Sequence, residues 1–301
     1  MNTEKGFATV ATGDEKYYKL AYNLCVSYRK RGRGIFPFVL ICDKDTKYNS
    51  YFDDVVIIED TTHTTLDKML IRYSPYDETI FFDADTLILD SVDDLWDIFS
   101  EQEGVSAFGC KLPLDSQKGW FTFAGSGKYK SQIKYLISMN GGIYYVKKGE
   151  LAFKVFDKAQ ELIHEYNTID FKYFAQPADE PIMAMAMVLN QCTPCDVAYE
   201  MLILPASNHK VSTDYLGNIY EDGKLSKIKL IHFSTPRTKN FLYQYLNKVN
   251  HSTLHTKRIY FQFKIKCLPA DLKFIFRHSA GAVLRKAGLN SVVDRIKKII
   301  H

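Results

Sequence analysis

Residues 79–85, Thr79-Ile80-Phe81-Phe82-Asp83-Ala84-Asp85, decide how this chain is read. An apolar run of this length reads as a buried strand, and it ends in two carboxylates one residue apart. Upstream, Gly6 to Thr12 (GFATVAT) reads as a first strand ending at Gly13-Asp14, Phe36 to Cys42 (FPFVLIC) as a second and Val55 to Ile58 as a third. Between them, Glu15 to Arg31 has Leu20 and Leu24 at helical spacing and stops at Gly32-Arg33-Gly34, while Thr65 to Tyr73 reads as a further helix. Strands alternating with helices predict an α/β fold, Rossmann-like, with a mostly parallel sheet flanked by helices. Ligands of such sheets bind beyond the carboxyl ends of the strands. Asp14 and the Asp83–Asp85 pair are therefore expected to open onto one crevice.

Downstream, Val105 to Phe108 and Gly142 to Val146 read as strands, with Lys111 to Met139 between them as a long polar and aromatic excursion. Long excursions inside compact domains commonly carry function. Glu150 to Tyr166 and Asp179 to Asn190 read as helices, and Met183, Met185 and Met187 in the second read as core. Leu202 to Leu204 and Lys229 to Phe233 are expected strands, and Leu272 to Phe276 and Ala282 to Ile300, after Pro269, are expected helices. This organisation predicts one catalytic-type domain over residues 1–250 and a basic appendage over residues 251–301.

Charge separates the same two parts. Residues 251–301 hold eleven Lys and Arg against two Asp, a net +9, whereas residues 1–250 sum to −5. The apolar fraction of 46% is enough to fill a sizeable core and excludes wholesale disorder. No run of about 18 apolar residues is present, and the opening MNTEKGFATV is unlike a secretory leader. The expected location is the cytoplasm. Cys25, Cys42, Cys110 and Cys267 are isolated, and Cys192-Thr-Pro-Cys195 follows a helical run, the wrong context for a redox pair. These thiols are read as reduced and structural.

Two carboxylates projecting from a strand end can hold a hard divalent cation such as Mn²⁺ or Mg²⁺. The same dipeptide spacing also occurs in plain turns, where Asp satisfies backbone amides. Context decides between them. The segment Thr65 to Tyr76 (TLDKMLIRYSPY) leads into the strand and Thr86 to Trp96 (TLILDSVDDLW) leads out of it. With ATGDEKYY at 11–18, MNGGIYYV at 139–146, ADEP at 178–181 and IHFSTPRTKN at 231–240, the chain resembles the GT-A-fold retaining glycosyltransferases. The nearest likeness is to the group containing glycogenin and the bacterial lipopolysaccharide galactosyl- and glucosyltransferases, and it spans roughly residues 6–240 in segment order.

The resemblance implies a metal-dependent enzyme that moves a hexose from a UDP-sugar, UDP-glucose or UDP-galactose, to a hydroxyl of a glycan acceptor with retention. Ala11, Thr12 and Asp14 match positions facing base and ribose, and Tyr17 is a candidate stacking ring. Lys68 matches a basic residue that touches the donor. Asp83-Ala84-Asp85 match the donor-binding strand end, with Asp83 on ribose or metal and Asp85 and His232 as metal ligands. Asn140, Asp179 and Glu180 match residues beside the sugar, and Glu180 stands where the group usually has Gln. After His232 the usual Gly and Lys are replaced by Thr235 and Thr238, which leaves Arg237 and Lys239 as candidates for the diphosphate.

The basic tail interleaves Phe261, Phe263, Phe274, Phe276 and Ile299 with Lys and Arg, as on a helix lying on an anionic membrane. Bacterial members of the resembled group act on lipid-linked glycans, so lipopolysaccharide or another surface polysaccharide is the expected acceptor, with the enzyme at the inner face of the membrane. No nucleic-acid motif is present, and the acidic body disfavours such a partner. The rival readings are a haloacid-dehalogenase-type phosphatase with Asp83 as nucleophile and a non-catalytic nucleotide-sugar-binding protein. The phosphatase motif wants Thr or Val where this chain has Leu87. A sugar-nucleotide-forming nucleotidyltransferase would need a Gly-rich, Arg-containing opening loop that the chain lacks.

Overall fold

The computed structural model describes residues 4–172, 175–204, 211–252 and 256–275. The chain divides into two compact units, Met1–Met201 and Leu202–His301.

The first unit opens with β1 (Lys5–Ala11), α1 (Glu15–Arg31), β2 (Phe38–Cys42), β3 (Asp54–Ile57), a 3₁₀ segment over Thr65–Tyr73 and β4 (Glu78–Phe82). It continues with β5 (Thr86–Ile88), α2 (Leu95–Ile98), β6 (Val105–Leu112), β7 (Leu136–Lys147), α3 (Glu150–His164) and α4 (Asp179–Leu189). The central sheet has six strands in the order β3-β2-β1-β4-β7-β6. β3, β2, β1 and β4 are mutually parallel, while β7 is antiparallel to both β4 and β6. The chain thus builds outward from β1 to β2 and β3, then returns to place β4 on the other side of β1. That reversal is the switch point at which open α/β sheets form a ligand crevice.

The α1 helix starts where Asp14 caps it, its carboxylate accepting the Lys16 amide at 2.9 Å. Beneath it, Phe7, Tyr28, Phe36, Phe38, Phe82 and Trp96 interlock with ring centroids about 5–6 Å apart, the offset and edge-on geometry aromatic rings prefer. On the other side, α3 and α4 pack together and α4 lies against β7, burying Met183, Met185 and Met187 as core. Cys192 and Cys195 are buried free thiols, and burial pushes both above the ordinary thiol range, as a structural role requires.

Three sequence expectations are corrected. The excursion is shorter than Lys111 to Met139: β6 runs on to Leu112 and β7 begins at Leu136, paired Leu112 to Leu136, because antiparallel pairing gives this polar stretch a ladder that alternation alone did not reveal. Thr65–Tyr73 is 3₁₀ rather than α-helical. Third, the C-terminal helix does not begin after Pro269.

In the second unit, β8 (Met201–Leu204) is followed by β9 (Val211–Thr213), β10 (Ile219–Glu221) and β11 (Lys224–Leu225), the last three an antiparallel meander. β12 (Leu230–Phe233), a 3₁₀ turn over Thr235–Lys239, α5 (Phe241–His251) and α6 (Lys257–Ile275) complete it. α6 is continuous through Pro269. It packs on α5 through a Phe241–Tyr245–Tyr260 ring cluster, and Asp271 accepts the Phe241 amide at 3.1 Å. The expected helix from Ala282 to Ile300 lies outside the described residues.

Candidate active site

At the carboxyl end of β4 the Asp83 amide donates to Gly142 O at 2.9 Å, locking the strand end to β7. Asp83 is half-buried, and Ala84 and Asp85 are buried. From the 3₁₀ segment, Lys68 Nζ lies 2.8 Å from Asp83 Oδ2 and 3.1 Å from Asp179 Oδ2, and donates to Gly141 O at 3.3 Å. The Lys68 side chain is only 17% exposed and that of Asp179 5%. Burial works against the Lys68 charge, but Asp179 and then Asp83 outweigh it and hold the ammonium well above its ordinary range. Lys68 is therefore fully charged at neutral pH.

The segments around Asn140 and Asp179 meet here. Asp179 and Glu180 open α4, where a helix N-terminus favours carboxylates. Glu180 Oε1 accepts the Gly141 amide at 2.7 Å and stands 3.5 Å from Asn140 Nδ2, and Asn140 Oδ1 accepts the Gly142 amide at 2.9 Å. Tyr144 OH donates to Asp179 Oδ2 at 3.4 Å, and burial, then Asp179, pushes this phenol well above its usual value. Gly141 makes the approach possible. A Cβ there would lie 2.6 Å from Asp179 Oδ2, 2.8 Å from Glu180 Cγ and 2.9 Å from Tyr144 OH.

A second cluster sits at the ends of β1 and β2. The register pairs Ala11 with Cys42, so Thr12 and Gly13 emerge beside Asp43. Asp43 accepts the Gly13 amide at 3.2 Å and the Tyr18 hydroxyl. Burial opposes its ionisation, but these hydrogen bonds prevail and hold the carboxyl below its ordinary range. Thr12 Oγ1 donates to the buried Asp67 at 2.6 Å, which also accepts from Thr62 N, Thr62 Oγ1 and His63 N at 2.7–2.9 Å. The Thr12 proton is thus committed to Asp67, and what its oxygen can offer a ligand is a lone pair. Asp14 is engaged as helix cap, Ala11 is buried, and the half-buried Tyr17 ring has Lys16 Nζ 4.7 Å from its centre.

The remaining candidates belong to the second unit. His232 is half-buried on β12, and Arg237 and Lys239 lie on the 3₁₀ turn after it, half-buried and exposed. Burial lowers the Arg237 guanidinium below its ordinary value.

Asp43, His63, Asp67 and Tyr144 were not singled out by the sequence. Asp43 had a readable signal, since it ends a buried strand as Asp83 does. The donor chemistry at β4 fits a hard divalent cation: Asp83 and Asp85 offer carboxylate oxygens, the ligand type such cations take.

No protein-family model and no curated protein matches the chain. Solved structures do. The galactosyltransferase LgtC, in complex with donor and acceptor sugar analogues, aligns with TM-score 0.52 and 12% identity over 84% of this chain and 98% of its own. An active-site mutant of LgtC aligns with TM-score 0.52 and 15% identity over 86% of this chain and 99% of its own. The bifunctional glycosyltransferase WbbM, in its apo form, aligns with TM-score 0.54 and 13% identity over 88% of this chain, which spans 52% of that chain. At these identities the likeness is one of fold: the chain has the GT-A glycosyltransferase fold, and its structural neighbours are glycosyltransferases.

Proposed function

From that fold, we propose that the protein is a metal-dependent glycosyltransferase that moves a hexose from UDP-glucose or UDP-galactose to a hydroxyl of a glycan acceptor, with retention. The observation that carries the reading is the Lys68 ammonium between Asp83 and Asp179, beside Asn140-Gly141 and Glu180, at the carboxyl end of β4.

In this reading Asp83, Asp85 and His232 hold Mn²⁺ or Mg²⁺. A divalent cation so bound supplies positive charge against the departing diphosphate. Lys68 adds a fixed positive charge close to the leaving group, and Arg237 or Lys239 adds another. Asp179 and Glu180 accept hydrogen bonds from sugar hydroxyls, and Asn140 fixes the sugar beside Gly141. Ala11, Thr12, Asp14 and Tyr17 form the nucleoside side of the site. Residues 1–250 make up the transferase domain.

We extend the proposal to a lipid-linked acceptor, that of lipopolysaccharide or another surface polysaccharide, reached from the inner face of the membrane through the basic segment 251–301. On α6, Phe261, Ile265 and Leu268 are exposed at helical spacing among Lys257, Arg258, Lys264 and Lys266, which supports this contact. No described helix is long and apolar enough to cross a membrane.

The test is thermal stabilisation by UDP, UDP-glucose and UDP-galactose, each with and without Mn²⁺. A ligand that binds only the native state raises the melting temperature. Stabilisation by UDP and one UDP-sugar, dependent on Mn²⁺ and lost in Asp85→Ala, is expected. A nucleotide response that Asp85→Ala leaves unchanged would contradict the metal assignment. Sedimentation with phosphatidylglycerol but not phosphatidylcholine vesicles is expected for the membrane contact.

A further inference from the structure

His63 has a backbone φ of 54°, in the left-handed region that few non-glycine residues enter and that histidine tolerates better than most. Its amide is held by Asp67 at 2.9 Å, and its Nδ1 lies 3.3 Å from Thr61 Oγ1 and 3.7 Å from the Asp43 carboxylate. The ring rests on Gly13, itself at φ 73°: a Cβ on Gly13 would stand 3.1 Å from Nδ1 and 3.2 Å from Cγ. With Nδ1 so occupied, the imidazole, 55% exposed, has its outer face and Nε2 to present to a ligand. Local strain of this kind persists where surrounding structure enforces it, and here the buried Asp67 and the half-buried Asp43 do so.

The position restricts what that ligand can be. His63 lies beyond the ends of β1 and β2, next to the switch point between β1 and β4, and five residues before Lys68. The segment thus offers a flat ring at one end and an ammonium at the other. Asp43 and Asp67 behind the ring disfavour a phosphate there, whereas a planar heterocycle can stack on it. We propose that His63, seated on Gly13 beside Asp43, is a nucleobase contact of the donor site. The proposal rests on the nucleotide-sugar reading above.

Calorimetric titration of the full chain tests it, with UDP plus Mn²⁺ and with inorganic pyrophosphate plus Mn²⁺, in wild type, His63→Asn and His63→Gly. Both substitutions suit a left-handed backbone, so each should keep the loop. The expected result is UDP binding about tenfold weaker in both variants, the scale of losing one base-stacking contact, with pyrophosphate binding unchanged. Equal UDP affinity in wild type and variants overturns the proposal. An equal loss for pyrophosphate overturns it too, because the side chain would then be supporting the loop. A wild-type protein that binds pyrophosphate but no UDP overturns the donor reading itself, and the base contact with it.

Discussion

The two polar clusters at the mouth of the sheet are built on different physics. Around Lys68 the organising force is charge: one buried ammonium is shared by Asp83 and Asp179, with Glu180 close behind. Around Gly13 it is hydrogen bonding: Asp67 and Asp43 accept from backbone amides and hydroxyls of neighbouring segments, and the His63 ring beside them is exposed. The first arrangement suits a site that must receive a cation and a diphosphate. The second suits a rim that must hold a fixed shape. If that contrast is right, substitutions at the centre should change stability in a way that depends on divalent cations, and substitutions at the rim should not.

The largest effect is expected at Lys68. Removing one member of a buried ionic group leaves the others without compensation, at about 3–5 kcal/mol. Lys68→Met should therefore lower stability to denaturant by that order in the presence of a chelator, and Mn²⁺ should raise its melting temperature more than that of wild type. Equal Mn²⁺ responses would break the contrast at its centre. The pH dependence has a definite sign. The folded-state value of Lys68 is raised, so its contribution is complete below the unfolded lysine value of about 10.4 and is lost only as pH climbs through the higher folded value. The difference between wild type and Lys68→Met should stay flat across neutral pH and shrink only in strong alkali.

Asp67→Ala is the corresponding test at the rim. It strands the buried Thr12 hydroxyl, while the exposed Thr62 and His63 residues can turn their amides to water, so the cost is about 1–2 kcal/mol. That loss should be the same with Mn²⁺ or chelator. Gly141→Ala should cost about 1–3 kcal/mol through overpacking against Asp179, Glu180 and Tyr144. Because it forces those groups apart, it should also weaken Mn²⁺-dependent UDP-sugar binding, which urea titration and calorimetry would separate.

The two clusters were not equally legible in the sequence. Asp83 and Asp85 end a run whose apolar character is local, and Asn140, Asp179 and Glu180 sit in short motifs, so the central cluster could be assembled segment by segment. The rim could not. Asp43 matters because β1 and β2 pair in the register that sets Ala11 against Cys42, and Asp67 matters because the 62–67 loop folds back onto Thr12. Neither is visible in a window of neighbouring residues. The same reason hid the antiparallel β6–β7 ladder: pairing Leu112 with Leu136 is a property of two distant stretches, one of them polar. Short strands such as β9, β10 and β11 carry too few residues for alternation to register at all.

The smallest effect, and the finest test of the contrast, lies at Asp43. Asp43→Asn keeps one carbonyl acceptor for either Gly13 N or the Tyr18 hydroxyl, so the loss should be only about 1 kcal/mol at neutral pH. Its pH dependence runs opposite to that of Lys68. The folded-state carboxyl lies below the ordinary value, so its contribution is present above an unfolded pKa of about 3.9 and disappears as pH falls through the depressed folded value. Urea midpoints of wild type and Asp43→Asn should accordingly converge on acidification, with or without Mn²⁺. Midpoints that instead converge when Mn²⁺ is added would mean that the Asp43 carboxylate answers to the cation site, and the rim would have to be counted as part of the charged centre.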